Sequence, residues 1–269
     1  MKAKPHIIAI SSHVAYGAVG NRIIVPILEK LGLQVTAVPT IQLSWHPGMN
    51  AKFGHGARIT PDEAAFDAMI KSLAGAPWLG GVSGIITGYL GNAAQAKTIA
   101  GLVSALKTAN PDAIYLCDPV TGDHGGLYVP EPTATAIREN LWQIADIVTP
   151  NLFEFQWMTG SAANSEEPLK AAARALNKRT VVITSVEAGD GLIGNLWVEP
   201  QQSALVTHAI ARPAPNGTGD MLAAVFFGNC IKGFKANVAL EMADAAVFAA
   251  IRHSIKHRTD SLDLGQVEF

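Results

Sequence analysis

Short apolar segments alternate with longer segments of helical periodicity along most of this 269-residue chain. Each apolar segment is four to six residues long, and glycine, proline or serine follows within two residues of its end. This alternation is typical of β-α-β units, which place parallel strands in one sheet and helices on both faces. The predicted strands are His6–Ile10, Val35–Val38, Val82–Thr87, Ala113–Cys117, Ala145–Val148 and Thr180–Thr184.

Two later segments break this alternation and indicate an antiparallel hairpin. Leu192–Val198 and Ala204–Ile210 flank a polar turn that contains proline, glutamine and serine, so we expect them to pair at an edge of the sheet. Apolar residues make up 49% of the chain and charged residues 16%, which suits a sheet covered on both faces. Because no repeat, low-complexity tract or linker is evident, we expect a single domain over residues 1–269.

Composition also excludes several classes of protein. A net charge of −2 argues against a nucleic-acid or anionic-membrane surface, and two cysteines make a disulfide framework implausible. The first apolar segment is too short for the core of a signal peptide, and no segment reaches membrane-spanning length. We therefore expect a cytoplasmic protein with neither a nucleic-acid nor a membrane partner.

The stretch Arg212–Phe227 combines prolines and glycines with an unbroken apolar run, and it predicts a turn followed by a buried helix that begins close to Asp220. The first turn of a helix is an anion site, and the amides of Gly217, Thr218 and Gly219 could converge on one phosphate oxygen. Asp220 has two possible roles at this point. It could cap the helix, or it could act as a base that takes a proton from an attacking hydroxyl group.

Residues that directly follow the strands are further candidates, because ligands of parallel sheets bind at the carboxyl ends of the strands. Asn151 should cap a short helix whose first turn carries Glu154, and that carboxylate could simply satisfy the helix dipole. The segment Thr40–Arg58 shows no period, and its aromatic residues and histidines favour the wall of a pocket. Asn21 is expected to cap the first helix. The strand-end candidates are Ser12, Thr40, Tyr89, Asp118, Thr149, Asn151 and Thr184.

Six segments, in this order along the chain, carry a resemblance to a known family. They are Ser12–Asn21, Leu43–His46, Thr87–Gly91, Asp118–Asp123, Thr149–Glu154 and Gly217–Asp220. The chain resembles small-molecule kinases of the ribokinase-like fold, and most closely the pyridoxal kinase family. The first two segments are similar to those of vitamin B6 kinases in particular, whereas the last three are shared more widely among related kinases.

The resemblance implies an ATP-dependent enzyme that phosphorylates the 5′-hydroxyl of pyridoxal, and also of pyridoxine or pyridoxamine. It implies Asp220 as the general base and the Gly217–Gly219 amides as the anion hole. A magnesium ion, a potassium ion in many members and a homodimer are implied in the same way. By resemblance, Ser12, His46 and Tyr89 contact or border the substrate ring, Asp118 and Glu154 organise Mg²⁺ and its waters, and Thr149, Thr184 and Tyr128 lie along the ATP site.

Three features depart from the family pattern. Trp45 replaces an asparagine, Pro47 stands where several members have a threonine that touches substrate, and the segment after Asp123 is short. Trp45 could stack on a pyridine ring or merely pack its own loop. Two other functions stay open: a kinase of the same fold for another small alcohol such as hydroxymethylpyrimidine, and a catalytically silent B6-binding protein. The presence of Asp118, Glu154 and Asp220 together argues against a catalytically silent protein.

Overall fold

The computed structural model describes residues 4–211, 214–259 and 261–264, so Arg212 and Pro213 of the proline- and glycine-rich stretch lie outside the described residues. Eleven strands are found in the described part of the chain. They are β1 (His6–Tyr16), β2 (Gln34–Trp45), β3 (Arg58–Ile59), β4 (Val82–Thr87), β5 (Ile114–Cys117), β6 (Gly122–Asp123), β7 (Gly126–Leu127), β8 (Ile147–Val148), β9 (Thr180–Glu187), β10 (Leu192–Val198) and β11 (Ser203–Ala209).

Nine of these strands form one sheet in the order β11-β10-β9-β8-β5-β4-β1-β2-β3. The strands from β9 to β2 are parallel to one another. Both edges are antiparallel, because β10 pairs with β9 and β11, and β3 pairs with β2. The predicted mostly parallel sheet with an antiparallel edge hairpin is therefore confirmed. The strands β6 and β7 make a separate small hairpin.

The helices cover both faces of the sheet, as predicted. Those with described bounds are α1 (Asn21–Lys30), α2 (Asn50–Phe53), α3 (Glu63–Ala74), α4 (Ala94–Ala109), α5 (Glu131–Ala136), α6 (Leu152–Thr159), α7 (Glu166–Ala175), α8 (Thr218–Ile231) and α9 (Ala236–His257). Short 3₁₀ turns occupy Pro47–Met49 and Leu79–Gly81, and a π-helical turn, Ile137–Trp142, follows α5. No helix in the described ranges has both the length and the apolar character needed to span a bilayer.

Two cores follow from the alternation of side chains along β1. Ile7 and Ala9 pack with α1, α8 and α9 on one face, whereas Ile8 and Ile10 pack with α3, α4, α6 and α7 on the other. The helix α8 is apolar almost all round, and Met221–Phe227 is buried throughout. Such a helix belongs in the core, and α8 packs against the sheet and against both α1 and α9, which contact the sheet themselves.

Three details of the sequence-based prediction are wrong. The strands β1 and β2 continue well past Ile10 and Val38, because they pair with each other as far as Tyr16 and Trp45. The segment Thr40–Arg58, expected to be irregular, is strand as far as Trp45 and helical from Pro47 to Phe53. Asn21 does not cap α1, because Gly20 is the N-cap residue and the buried Asn21 side chain donates to the carbonyl groups of Ser11 and Val38.

Candidate active site

The candidate site lies where the order of the strands reverses. The chain runs from β1 to β2 on one side and later returns to β4 on the other side of β1. In open α/β sheets, the crevice at such a switch point, outside the carboxyl ends of the strands, is the usual place for a ligand. The residues that the sequence singled out after the predicted strands lie along this edge, although Ser12 and Thr184 lie within the longer strands β1 and β9.

The start of α8 forms the floor of the crevice. Gly217 is the N-cap residue with φ 96°, and a Cβ there would overlap the carbonyl oxygen of Ala18. Only glycine fits this turn without strain, because the left-handed region and the close backbone both exclude a side chain. The amides of Thr218 and Gly219 belong to the first helical turn and have no carbonyl partner within the helix. The turn can therefore present several N–H groups to an anion.

The carboxylate of Asp220 is bonded outside its own helix. Its Oδ2 accepts a hydrogen bond of 2.9 Å from the backbone N–H of Gly20, 200 residues away in the sequence. Asp220 is the third residue of α8 and makes no side-chain capping bond. Asp220 therefore does not cap the helix. Burial raises the pKa of Asp220 to about 6, although the Gly20 N–H opposes this change.

Gly20 and Gly88 bring two other loops against Asp220. A Cβ on Gly20 would lie 2.5 Å from the Oγ of Ser12, so the Ser12 side chain lies directly beside the Gly20–Asp220 bond. A Cβ on Gly88, at the end of β4, would lie 3.8 Å from Oδ1 of Asp220. The structure therefore assembles Ser12, the end of β4 and Asp220 at one point of the crevice.

Asp118 and Thr149 lie on the neighbouring strands of the same edge. The hydroxyl of Thr149 donates to Oδ1 of Asp118 over 3.0 Å, and both residues are buried. Burial raises the pKa of Asp118, and the negative charges of Glu154 and Asp220 raise it further. Three carboxylates thus share one region in which their negative charges are only partly solvated.

Glu154 ties the loop after β5 to the start of α6. Its Oε1 accepts N–H groups from Thr121 and Gly122 at 2.8 and 3.3 Å, and its Oε2 accepts that of Asn151 at 2.9 Å. Asn151 in turn accepts the N–H of Glu154, which completes the predicted cap of α6 as a capping box. Burial nevertheless raises the pKa of Glu154 to about 8.

These carboxylates fit a magnesium ion that takes most of its ligands from water and phosphate. Both oxygens of Glu154 already accept backbone N–H groups. In Asp118, Oδ1 accepts the hydroxyl of Thr149, whereas Oδ2 accepts no hydrogen bond from the described residues. Among the described residues, no group of three or more His, Cys, Asp or Glu side chains could hold a metal ion by itself. Magnesium typically binds one or two carboxylates together with substrate phosphates, so the donor set suits it.

Tyr89 is held firmly at the end of β4. Its N–H donates to Oγ of Ser11 over 3.2 Å, and its carbonyl accepts the hydroxyl of Thr40 over 2.7 Å. The ring packs against the small core cluster that includes Val14 and Leu43. The hydroxyl accepts a bond of 3.2 Å from Nη2 of Arg58, a residue that the sequence did not single out.

His46 precedes the 3₁₀ turn Pro47–Met49 and caps it, because its Nδ1 accepts the N–H of Gly48 over 3.0 Å. Burial lowers the pKa of His46, so the neutral ring is favoured. A Cβ on Gly48 would lie 2.9 Å from Nδ2 of Asn216, which immediately precedes Gly217. The loop that carries His46 therefore rests on the turn before α8, and only the three-dimensional fold reveals this contact.

Trp45 packs its own loop. Its Nε1 donates to the carbonyl of Gly54 over 3.0 Å, and its ring meets that of Phe53 edge-on at 5.9 Å. Of the two roles left open by the sequence, these contacts favour packing.

Thr184 and Tyr128 flank the crevice farther along the edge. The N–H of Thr184 donates to the carbonyl of Pro150 over 2.8 Å, and the next residue, Ser185, has φ 61° at a bulge of β9 against β10. Tyr128 follows the β6-β7 hairpin and is 52% exposed. Burial of its hydroxyl group nevertheless raises the pKa of Tyr128, and the negative charges of Glu154 and Asp118 raise it further. The hydroxyl group is therefore near those acids.

Two described cavities lie elsewhere. One of about 570 Å³ runs between α3 and α4, and one of about 500 Å³ lies beside the start of α9. Neither is lined by a residue of the candidate site. The carboxylates, the glycine turn and the switch point therefore define the site better than cavity size does.

Comparison with known proteins identifies the class first. The phosphomethylpyrimidine kinase family model matches residues 70–263. A pyridoxal kinase from Leishmania donovani, solved in complex with ADP and pyridoxamine, superimposes with a TM-score of 0.85 at 27% identity, covering 97% of this chain and 93% of that one. The fold is that of ribokinase-like small-molecule kinases.

Curated relatives narrow the assignment. A pyridoxal kinase from Leifsonia xyli subsp. xyli is 33% identical, covering 93% of this chain and 89% of its own length. A pyridoxine/pyridoxal/pyridoxamine kinase from Bordetella bronchiseptica is 34% identical, covering 92% and 89%. The chain belongs to the pyridoxal kinase family, within the wider group that the phosphomethylpyrimidine kinase model describes.

Proposed function

We propose that this chain transfers the γ-phosphoryl group of ATP to the 5′-hydroxyl of pyridoxal, and also of pyridoxine and pyridoxamine. The relatives named above support the substrate class, since one is a pyridoxal kinase and one is named for all three vitamers. The observation that carries the proposal is Asp220, a carboxylate with a raised pKa beside the glycine turn of α8. The carboxylate could take the proton of an alcohol and the glycine turn could bind a phosphate, so together they suit phosphoryl transfer to an alcohol.

Asp220 serves as the general base. With a pKa of about 6, it is ionised at neutral pH but more basic than an exposed aspartate, which is the balance that a base needs. It takes the proton of the 5′-hydroxyl, the oxygen bonds to the γ-phosphorus, and the bond from that phosphorus to the bridging oxygen breaks to release ADP. The amides of Gly217, Thr218 and Gly219 stabilise the charge on the transferring group.

Ser12, His46 and Tyr89 hold the substrate ring. Ser12 lies beside the Gly20–Asp220 bond, which places a hydroxyl group close to the proposed base. Tyr89 presents a firmly held ring at the end of β4, and neutral His46 retains Nε2–H as a donor because Nδ1 accepts from Gly48. These features support a pocket for a small aromatic alcohol.

Asp118, Thr149, Glu154, Thr184 and Tyr128 line the nucleotide side. When bound, Mg²⁺ neutralises charge on the phosphates. Asp118 would hold the ion through Oδ2, because its Oδ1 accepts the hydroxyl of Thr149. Glu154 would act on the ion through water, because three backbone N–H groups already occupy its oxygens. Four further expectations stay predictions: a potassium ion, a homodimer, a cytoplasmic location and a single domain over residues 1–269. The single domain is supported by the one sheet that both cores share.

A second candidate substrate is hydroxymethylpyrimidine, because the family model that matches residues 70–263 is that of phosphomethylpyrimidine kinases. The test is to incubate the purified protein with Mg-ATP and, separately, each of the three vitamers and hydroxymethylpyrimidine, and to follow ADP release. We expect release with at least one vitamer at a higher kcat/KM than with hydroxymethylpyrimidine. The reverse preference would replace the proposed substrate, and ADP release with none of the four would leave only a binding protein.

A further inference from the structure

Arg58 is fixed beside the carboxyl end of β2, although it lies on a two-residue edge strand. It pairs with Leu43 in the antiparallel ladder of β2 and β3. Ser44 strengthens this pairing, because its N–H donates to the carbonyl of Ala57 and its hydroxyl accepts the N–H of Ala57, at 3.0 and 3.1 Å. The backbone that carries Arg58 therefore has a defined place at the rim of the crevice.

The guanidinium group reaches across to the next wall of the crevice. Its Nη2 donates to the hydroxyl of Tyr89 over 3.2 Å. The backbone of Tyr89 is bonded on both sides, and the preceding residue, Gly88, approaches Oδ1 of Asp220. The Tyr89 contact thus brings the exposed guanidinium group of Arg58 to the same strand end as the proposed base.

Most of the hydrogen-bonding capacity of Arg58 is unused. A guanidinium group has five N–H donors, and the bond to Tyr89 uses one. Among the described residues, no carboxylate forms an ion pair with Arg58. A permanent cation with free donors at a pocket rim is suited to an oxyanion on a ligand.

The proposed substrates carry such an oxyanion. All three B6 vitamers have a hydroxyl group at C3 of the pyridine ring, and it ionises readily because the protonated ring nitrogen withdraws electrons. Hydroxymethylpyrimidine has no oxygen at the equivalent position. Pro47 has neither a backbone N–H nor a side-chain donor, so it offers the ring no hydrogen bond from that place.

We propose that Arg58 binds the ionised 3-oxygen of the vitamer and thereby selects pyridine vitamers over aminopyrimidines. This inference rests on the proposed B6 kinase activity. The Arg58 contact is a ground-state one, remote from the 5′-hydroxyl, so its loss raises KM much more than it lowers kcat.

The test compares pyridoxine with 3-deoxypyridoxine, which lacks only the 3-oxygen. In Arg58→Gln, kcat/KM for pyridoxine should fall about tenfold to hundredfold, the range for losing a hydrogen bond to a charged group. For 3-deoxypyridoxine, the variant and the original protein should have the same kcat/KM. Arg58→Lys keeps the charge and should recover part of the loss. Arg174→Gln is the matched control, because Arg174 also donates one bond of 3.2 Å to a hydroxyl group, that of Ser203 on the edge strand β11, and it should change neither substrate.

Three results would overturn the inference. Equal losses with both substrates would mean that Arg58 only supports the Tyr89 ring, and no loss with pyridoxine would mean that it does not reach the substrate. Both results leave the kinase activity itself intact. If the original protein phosphorylates no vitamer, the proposed function fails and this inference fails with it.

Discussion

Replacing Asp220 with asparagine separates a catalytic carboxylate from a structural one. Asparagine has nearly the same shape, and its side-chain oxygen can still accept the N–H of Gly20 that the carboxylate accepts at 2.9 Å. The variant therefore keeps the geometry of the α8 start while it removes the charge and the base. If the carboxylate is only structural, the variant should lose stability and keep its turnover. If the carboxylate is the base, the variant should gain stability and lose turnover.

The pKa of Asp220 gives the expected size of the stability effect. Burial raises it from 3.8 to about 6, so the folded state holds the proton more tightly than the unfolded state does. Stability therefore falls as pH rises from about 4 to 6 and stays lower above that range, by at most about 3 kcal/mol at 1.36 kcal/mol per pH unit. Because the weaker bond from Gly20 to a neutral amide offsets part of this, we expect Asp220→Asn to stabilise the fold by about 1–2 kcal/mol at pH 8.

Turnover should change in the opposite direction. Loss of a general base should lower kcat by about two to four orders of magnitude, whereas ATP affinity should stay the same or improve, because a negative charge beside the phosphates is gone. In the original protein, kcat/KM should decrease as pH falls through about 6, where Asp220 takes up its proton.

Thermal unfolding at pH 8 and pH 4, together with steady-state kinetics, measures both effects. The stabilisation should be present at pH 8 and lost at pH 4. Asp62→Asn is the control, because Asp62 caps α3 through the N–H of Ala65 and asparagine is an equally good cap. Near-normal turnover of Asp220→Asn, or lower stability at pH 8, would refute the assignment of Asp220 as the base.

Four further substitutions test other parts of the site. Asp118→Asn and Glu154→Gln should need more Mg²⁺ for half-maximal activity and lose kcat; Mg²⁺ titrations that match the original protein in both variants would exclude the metal role. Glutamine is preferred to alanine at Glu154, because alanine would leave three backbone N–H groups without their acceptor. Pro47→Thr should lower KM for pyridoxal with little change in kcat, and an unchanged or higher KM in a folded variant would place this loop away from the ring. Gly217→Ala should destabilise the protein by about 1–3 kcal/mol in thermal melts and reduce kcat, since φ is 96° and a Cβ would overlap a carbonyl oxygen; an unaffected variant would contradict the anion-hole geometry.

Local sequence rules predicted the parts of the site that local bonds create. Asn151 and Glu154 are three residues apart, and the capping box depends only on that spacing and on the residue types. The strand Val82–Thr87 and the hairpin strand Leu192–Val198 also have the predicted bounds, because turn-forming residues surround both apolar runs. Signals of this kind need no knowledge of the rest of the fold.

Contacts between distant segments could not be predicted in this way. The bond between Gly20 and Asp220 joins residues 200 positions apart, and nothing near Gly20 marks it as the partner of a carboxylate. The polar half of β1 forms a strand only because β2 lies beside it, so its own composition predicted a loop. Arg58 was missed for the same reason, since its importance depends on Tyr89, 31 residues away.

The apolar character of α8 determines where Asp220 lies, because close packing of this helix on the sheet positions its first turn. The helix must lie close to the sheet for its first turn to reach the switch point, and small residues permit that approach. A Cβ on Gly84 of β4 would lie 2.8 Å from Cζ of Phe227, and one on Gly228 would lie 3.1 Å from Cδ2 of Leu28 on α1. A catalytic group that moves by about 1 Å can lose a hundredfold in rate, so packing beneath the floor of the crevice should affect turnover through the position of Asp220. We therefore expect these core glycines to affect turnover without touching the substrate.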